Sequence, residues 1–509
     1  MARKSAADLE SEASHGGGLK RSLNKWHLTA LGVGATIGAG IFATTGTAIV
    51  GDAARPGAGP AIVFSFLLTA IACGFAALCY AEFAAMVPVA GSAYTYAYAA
   101  LGELVAWIIG WDLIVEYAVG NIGVAIGWSG HFRELVSHFG VDIPSWLATD
   151  YRSAHDAATA LAGGTNDAVT QYLASAWTGA PHLFGIPVIV NLPAAAVVFV
   201  MTIVLVIGVR ESANFNNAMV VLKIAIILFF LAVGVFLITP SNWNDAASGG
   251  FAPNGFAGVS AAAAIIFFSY IGFDAVSTAA EEAENPARDM PFGIIMSLVV
   301  CTVLYIAISA VMTGMSPWQQ LGTAEPMITA LQFSNGPPLL VNASRFIIAL
   351  GAVIAMGSVL LVFQLGQPRI FYSMARDGLL PPVMAKVHPR FRTPYVGTIL
   401  TGTFVATFAA FANIAEVVDL TNIGTLFAFV LVSIGVIFLR RTDPDRPRPF
   451  RVPGVPFTPL ISVAACLYLM FQLPRVTWIR FGIWLAIGLV FYFVYGYKNS
   501  VLRRQSSNA

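Results

Sequence analysis

An all-α polytopic membrane protein with 12 transmembrane helices is the fold class that this sequence predicts, and three observations carry the prediction. Of the 509 residues, 57% are hydrophobic and only 10% are charged, more apolar surface than a water-facing exterior can hide. Stretches apolar enough for a hydrocarbon core of about 30 Å recur near 28–50, 60–86, 101–129, 188–208, 217–239, 256–281, 291–312, 345–375, 395–411, 416–439, 456–473 and 478–497. Weak points interrupt the first and sixth of them. Matching interruptions divide ten of the spans into two five-helix halves, with two further helices at the C-terminal end. Five is odd, so the second half enters the membrane from the other side and the halves are inverted repeats.

The elements follow in order. Residues 1–24 are polar and Gly/Ser-rich, neither a signal nor a transit peptide, and read as a disordered cytoplasmic tail. "LKRSLNKW" at its end is basic and carries a Trp, suited to the headgroup level. The first repeat spans 25–239 and contains a polar external loop at about 131–187, with room for short helices. The second repeat spans 240–439. Residues 440–455, rich in Pro and Arg, form a cytoplasmic linker to helices eleven and twelve at 456–497, and 498–509 form a cytoplasmic tail.

Charge placement orients this arrangement. Of 27 Lys and Arg, only Arg55, Arg133, Arg152, Arg345, Arg475 and Arg480 fall on the side opposite the termini, with Lys223 and Arg369 inside spans. By the positive-inside rule both termini are cytoplasmic, in a multi-pass protein of the cell membrane. The net charge of +1 says nothing useful about partners, and no nucleic-acid partner is expected. Cys73, Cys79, Cys301 and Cys466 all lie in spans, which leaves no external disulfide framework.

"GVGATIGAGIF" sets four glycines into the first span, each costing about 1 kcal/mol of helix propensity relative to Ala. Span six holds "FFSYIGFDA", a second weak middle. Unpaired backbone groups in hydrocarbon cost several kcal/mol each, so a break survives only where it lines a cavity or finds a partner. Its amide ends favour anions and its carbonyl ends favour cations. Two breaks side by side therefore match a free L-amino acid, which carries a carboxylate and an ammonium. The plainer reading is that Gly34 and Gly38 form a GxxxG for close helix packing.

Ionisable residues at membrane depth are candidate functional groups. Asp274 follows "YIGF" directly, at the amide end of the second half-helix; it contributes to the substrate site or caps the break. Glu116 lies mid-span with Asp112 one turn earlier, either facing substrate or hydrogen-bonded structurally. Glu82, Glu416 and Asp419 lie near span ends, where solvation is expected. Lys223 enters from the cytoplasmic side and is about 9 Å deep at 1.5 Å per residue. Either it snorkels back to the headgroups, or it is a desolvated amine that loads and loses a proton during a cycle. No HExxH, CxxC or GxxxxGK[ST] occurs, so an intramembrane hydrolase and an ATP-driven pump lack their parts. Neither catalytic residues, a metal site nor a cofactor is expected. A channel reading is opposed only by the want of a filter-like loop and by the number of spans.

These blocks resemble the amino acid–polyamine–organocation transporter superfamily, and within it the cationic amino acid transporter family, from about Lys25 to Arg504. "GATIGAGIF" is similar to the family's broken first helix, and "FFSYIGFDAVSTAAEEAENPARDMP" to its sixth helix and following loop. "ESANFNNAMVVLK" resembles the start of the fifth helix, and "MARDGLLPPVMAKVHPRFRTP" the loop after the eighth. The resemblance implies that backbone at Thr36, Gly38, Ala39 and Gly40, with carbonyls of Phe268, Ser269 and Ile271, holds the amino acid. It implies that Phe268 is an outer aromatic gate. It also implies that Lys223 occupies the place that a sodium ion takes in sodium-coupled relatives. Some vertebrate members carry two further C-terminal spans, which this chain lacks.

The expectation is a proton-coupled importer of L-amino acids, cationic ones first (arginine, lysine or ornithine), with Glu116 or Asp274 facing the extra charge. A carrier of small neutral amino acids, an exchanger and a nontransporting amino-acid sensor are the alternatives. Free amino acid, protons and the bilayer are the expected partners; a small membrane subunit or a second copy is left open.

Overall fold

The computed structural model describes residues 22–86, 92–164, 168–208, 213–245 and 249–508. The expected N-terminal tail lies outside the described residues except at its last three positions, as do Arg210 and the start of "ESANFNNAMVVLK". Among the described residues nine helices are long and apolar enough to cross a membrane. They are α1 (Lys25–Val50), α2 (Gly59–Met86), α3 (Glu103–Ser137), α5 (Asn217–Phe236), α6 (Gly255–Ser277), α7 (Pro286–Met315), α8 (Pro338–Arg376), α10 (Ile414–Thr442) and α12 (Arg475–Asn499). Shorter apolar helices are α4 (Leu192–Ile207), α9 (Tyr395–Phe411) and α11 (Phe457–Phe471). At 1.5 Å per residue these reach roughly 22–26 Å.

Each expected apolar stretch coincides with one of these helices, with shifted edges. α3 runs to Ser137, so Arg133 and Glu134, expected in a polar loop, stand on a helix. Between α3 and α4 lie two helices, Tyr151–Ala162 and Ala168–Gly179, that pack on each other.

Two breaks organise the interior. α1 is α-helical over Lys25–Thr36, turns extended at Ile37 (φ −74°, ψ 99°), and resumes through a wide turn at Gly40–Thr44. α6 is α-helical over Gly255–Ile266, tightens over Phe267–Tyr270, turns extended at Ile271 (φ −60°, ψ 131°), and resumes as a 3₁₀ turn at Asp274–Glu282.

Helix contacts have a regular correspondence. α2 packs on α7, α3 on α8, α4 on α9, and the α1 break on the α6 break. α5 packs on α1, α7 and α8, whereas α10 packs on α6, α2 and α3. Exchanging each helix for the one five places away leaves this pattern unchanged. α11 and α12 stand outside it, against α10.

The face bearing the termini is tied together by ion pairs and backbone bonds. Leu23 pairs with Ala283, and Ser22 and Leu23 donate to Glu282 O at 2.9 and 3.0 Å. Glu82, expected to be solvated, is instead buried. Its carboxylate accepts from Arg440 Nη2 at 2.5 Å and from the Val452 amide at 2.7 Å, which binds the linker to the end of α2. A carboxylate that deep is held by cations and amides in place of water. Glu103 likewise accepts from Tyr492 Oη and Arg503 Nε, each at 2.8 Å, and so fastens the C-terminal segment to the start of α3.

Candidate functional site

The two breaks meet backbone to backbone. A Cβ on Gly40 would stand 2.2 Å from Ser269 Cα, and one on Gly272, whose φ is +119°, would stand 2.8 Å from the Ala35 carbonyl. Only glycine permits either approach, and only glycine adopts the Gly272 backbone without strain. Thr36, Ala39, Ser269 and Ile271 are buried between these contacts, and Thr36 Oγ1 and Ser269 Oγ have no hydrogen-bond partner among the described residues. Gly38 faces α8, where an added Cβ would meet Val359 Cγ2 at 2.9 Å.

Interrupting a helix leaves the carbonyls of its last turn without amides to bond. At the end of the first half of α1 they are met by side chains. Lys223 Nζ donates to Gly34 O at 2.5 Å, and Tyr305 Oη donates to Thr36 O at 3.0 Å. Lys223 is 1% exposed, so its amine points inward to the break and does not snorkel. A cation at the carbonyl end of a helix is favoured by the helix dipole.

Asp274 stands where the sequence suggests, at the start of the second half of α6. Its Oδ1 accepts from the Gly272 amide at 3.2 Å, a bond that reaches back into the break. The Glu116 carboxyl, in a wide turn of α3 at Val115–Val119, lies beside that of Asp274 and near Thr425 of α10. Neither carboxylate has a salt-bridge cation among the described residues. Asp112 is displaced from this pair and packs against Gly424, where an added Cβ would approach its Oδ1 to 2.8 Å.

Three α3 glycines, unremarked in the sequence, form the facing wall. Added Cβ atoms would meet Thr421 Cγ2 at 3.2 Å from Gly120, Phe268 Cζ at 3.3 Å from Gly123, and Ala43 Cβ at 2.9 Å from Gly127. Their three- and four-residue spacing puts them on one helix face, and that spacing is the signal that would have found them. The Phe268 ring and Val417 of α10 thus both lie against Gly123.

On the face opposite the termini a cavity of about 500 Å³ reaches down to Thr44 and Ile265, beside the breaks. Arg55 and Asp419 line it and pair at 2.7 Å, with Asp52 also bound to Arg55 at 2.6 Å. Asp419 is buried and ion-paired, where the sequence reading expected solvation. Burial works against the Arg55 charge, but Asp419 and Asp52 outweigh it and hold the guanidinium above its ordinary pKa. Arg133 bridges to Glu325 at 2.5 Å and Arg345 to Glu134 at 2.6 Å. Partners hundreds of residues apart left no sequence trace of these pairs.

Comparison with known proteins decides what this architecture belongs to. A family model described as "Amino acid permease" matches residues 23–495. The chain belongs to the amino acid permease family. The permease is therefore a multi-pass membrane protein of the amino acid–polyamine–organocation superfamily, as its broken-helix blocks suggested. It is 45% identical over 502 residues to a branched-chain amino acid permease of Bacillus subtilis, covering 99% of this chain and 98% of that one. It is 43% identical over 502 residues to a methylthioribose transporter of Bacillus subtilis, covering 99% of each chain. It is also 36% identical over 446 residues to a vacuolar cationic amino acid transporter of Arabidopsis thaliana, covering 87% of this chain and 64% of that one.

Proposed function

We propose that the permease is a proton-linked importer of neutral aliphatic L-amino acids, working by alternating access through 12 spans in two inverted five-helix repeats plus two helices. In this reading both termini are cytoplasmic and the protein lies in the plasma membrane. The substrate carboxylate and ammonium meet the backbone at Thr36, Gly38, Ala39 and Gly40 and the carbonyls of Phe268, Ser269 and Ile271, and Lys223 carries the proton. The contact pattern that survives exchange of helices five places apart supports the repeat.

The observation that carries the substrate choice is the apolar wall. Ala39, Gly120, Gly123, Gly127, Phe268 and Val417 border the breaks, and none offers a charge or hydrogen bond to a side chain. Burying an unpaired cationic side chain there costs several kcal/mol, whereas an aliphatic one gains about 25 cal/mol per Å² of apolar area. A relative named as a branched-chain amino acid permease agrees with this reading. The test is uptake into proteoliposomes of labelled leucine, alanine and arginine, with and without an inward proton gradient and with unlabelled methylthioribose as competitor. Leucine is expected to accumulate with the gradient; arginine uptake exceeding leucine overturns the neutral reading.

The cationic reading has one observation in its favour, a Glu116 carboxyl one turn from Gly120 with no cation paired to it. It predicts that Glu116→Gln weakens arginine binding at least tenfold, about 1.4 kcal/mol, and leaves leucine binding nearly unchanged. In the neutral reading Glu116 positions Asp274, so the same substitution lowers leucine transport and arginine never competes. Competition binding on purified protein separates the two.

A further inference from the structure

The carbonyl ends of the two interrupted helices are held by corresponding donors. Lys25–Thr36 and Gly255–Ile266 each have 12 residues, and Gly34 and Ala264 each stand two before the last. Gly34 O accepts from Lys223 of α5. Ala264 O accepts from Asn422 Nδ2 of α10 at 2.7 Å, and Ile265 O from the same nitrogen at 3.2 Å. A second donor completes each end: Tyr305 of α7 on Thr36 O, and Thr69 of α2 on Ala263 O, both at 3.0 Å. Each end thus takes one donor from the helix four places on and one from the second or seventh helix.

We propose that Asn422 is a positioning residue for substrate binding, the counterpart of Lys223 at the other break. It differs in one chemical respect, since a carboxamide is a permanent neutral donor and an amine is not. Asn422 is fully buried, and its Oδ1 has no partner among the described residues, so its two carbonyl contacts alone orient it. The substrate carbonyls proposed at Phe268, Ser269 and Ile271 begin three residues after Ile265. Losing the donor orphans Ala264 O in a dry interior and leaves Ile265 O with the Phe267 amide alone. The last turn of the helix then loosens, and the following carbonyls leave their register. The inference rests on the transport reading for its kinetic readout, not for its structural one.

The experiment compares wild type with Asn422→Leu, which keeps the approximate shape without a donor, and Asn422→Ser, which keeps one O–H. Leucine counterflow in proteoliposomes gives KM and kcat, and hydrogen–deuterium exchange follows the peptide over 259–270. For Asn422→Leu, KM is expected to rise at least tenfold with kcat held within about threefold, the tenfold change being about 1.4 kcal/mol. Exchange should quicken at 259–270 and not over 25–36, with Ser intermediate in both measurements. Unchanged exchange at 259–270, or faster exchange there with KM unmoved, overturns the proposal. So does equal quickening across all helices, which marks general loss of folding. If wild type exchanges no amino acid, the transport reading fails by itself. The exchange measurement then decides: quickening confined to 259–270 upholds Asn422 as the positioning donor, and unchanged exchange refutes it.

Discussion

Lys223→Met is expected to bind substrate and to exchange it in counterflow, yet to fail to concentrate it under an inward proton gradient. Met matches the length of the lysine stem and adapts its packing, so the helix bundle should tolerate it. What is lost is the 2.5 Å bond to Gly34 O and the amine at that end of α1. Leaving the carbonyl unpaired costs about 1–3 kcal/mol, a moderate fall in stability that a melting curve would register. Accumulation ratios measured across a series of imposed pH gradients read the coupling. A mutant that accumulates leucine as wild type does, with the same pH dependence, removes Lys223 from the proton pathway and leaves it a structural cap.

Gly40→Val should abolish labelled-leucine binding in protein that still inserts and stays helical. The Cβ would lie 2.2 Å from Ser269 Cα, and the neighbour is backbone, unable to rotate away. Overpacking against mobile side chains costs about 1–3 kcal/mol; against the other broken helix, the two breaks must separate. Gly482→Ala is the control, because nothing lies within 4 Å of the added atom. Scintillation-proximity binding by well-folded Gly40→Val protein would show that close approach of the breaks is dispensable. The family resemblance implies that substrate meets the backbone at Gly40. The structure adds that Ser269 backbone already fills the Cβ position, so the glycine serves contact between the helices.

How far the protein was legible without coordinates depends on the range of the interaction. Hydropathy is a local sum, so each apolar stretch met a helix, and the interruptions at Ile37–Gly38 and Ile271–Gly272 fall in the glycine-containing weak stretches of the first and sixth spans. The place of Asp274 at the start of the second half of α6 followed from the same local rule, an acid near an exposed amide end, and its bond to Gly272 ties it to the break. Boundaries were less secure. Arg133 and Glu134, in the last turns of α3, find partners on distant segments, and no local window of sequence contains Glu325 or Arg345 as well.

The sequence alone determined the solvent, the number of apolar stretches and which two of them are interrupted. These depend on composition along one segment and on glycine's missing side chain. Only tertiary structure decided which way Lys223 points, since a lysine 9 Å deep satisfies either geometry until a carbonyl without an amide partner is brought beside it. It likewise decided that Asp419 and Glu82 are buried, because Arg55 and Arg440 arrive from distant segments to offset the loss of water. The apolar wall at Gly120, Gly123 and Gly127 is also a product of folding. A glycine face acquires chemical meaning from what packs against it, here Phe268, Thr421 and Ala43, and that is settled by three helices that meet far from one another in the chain.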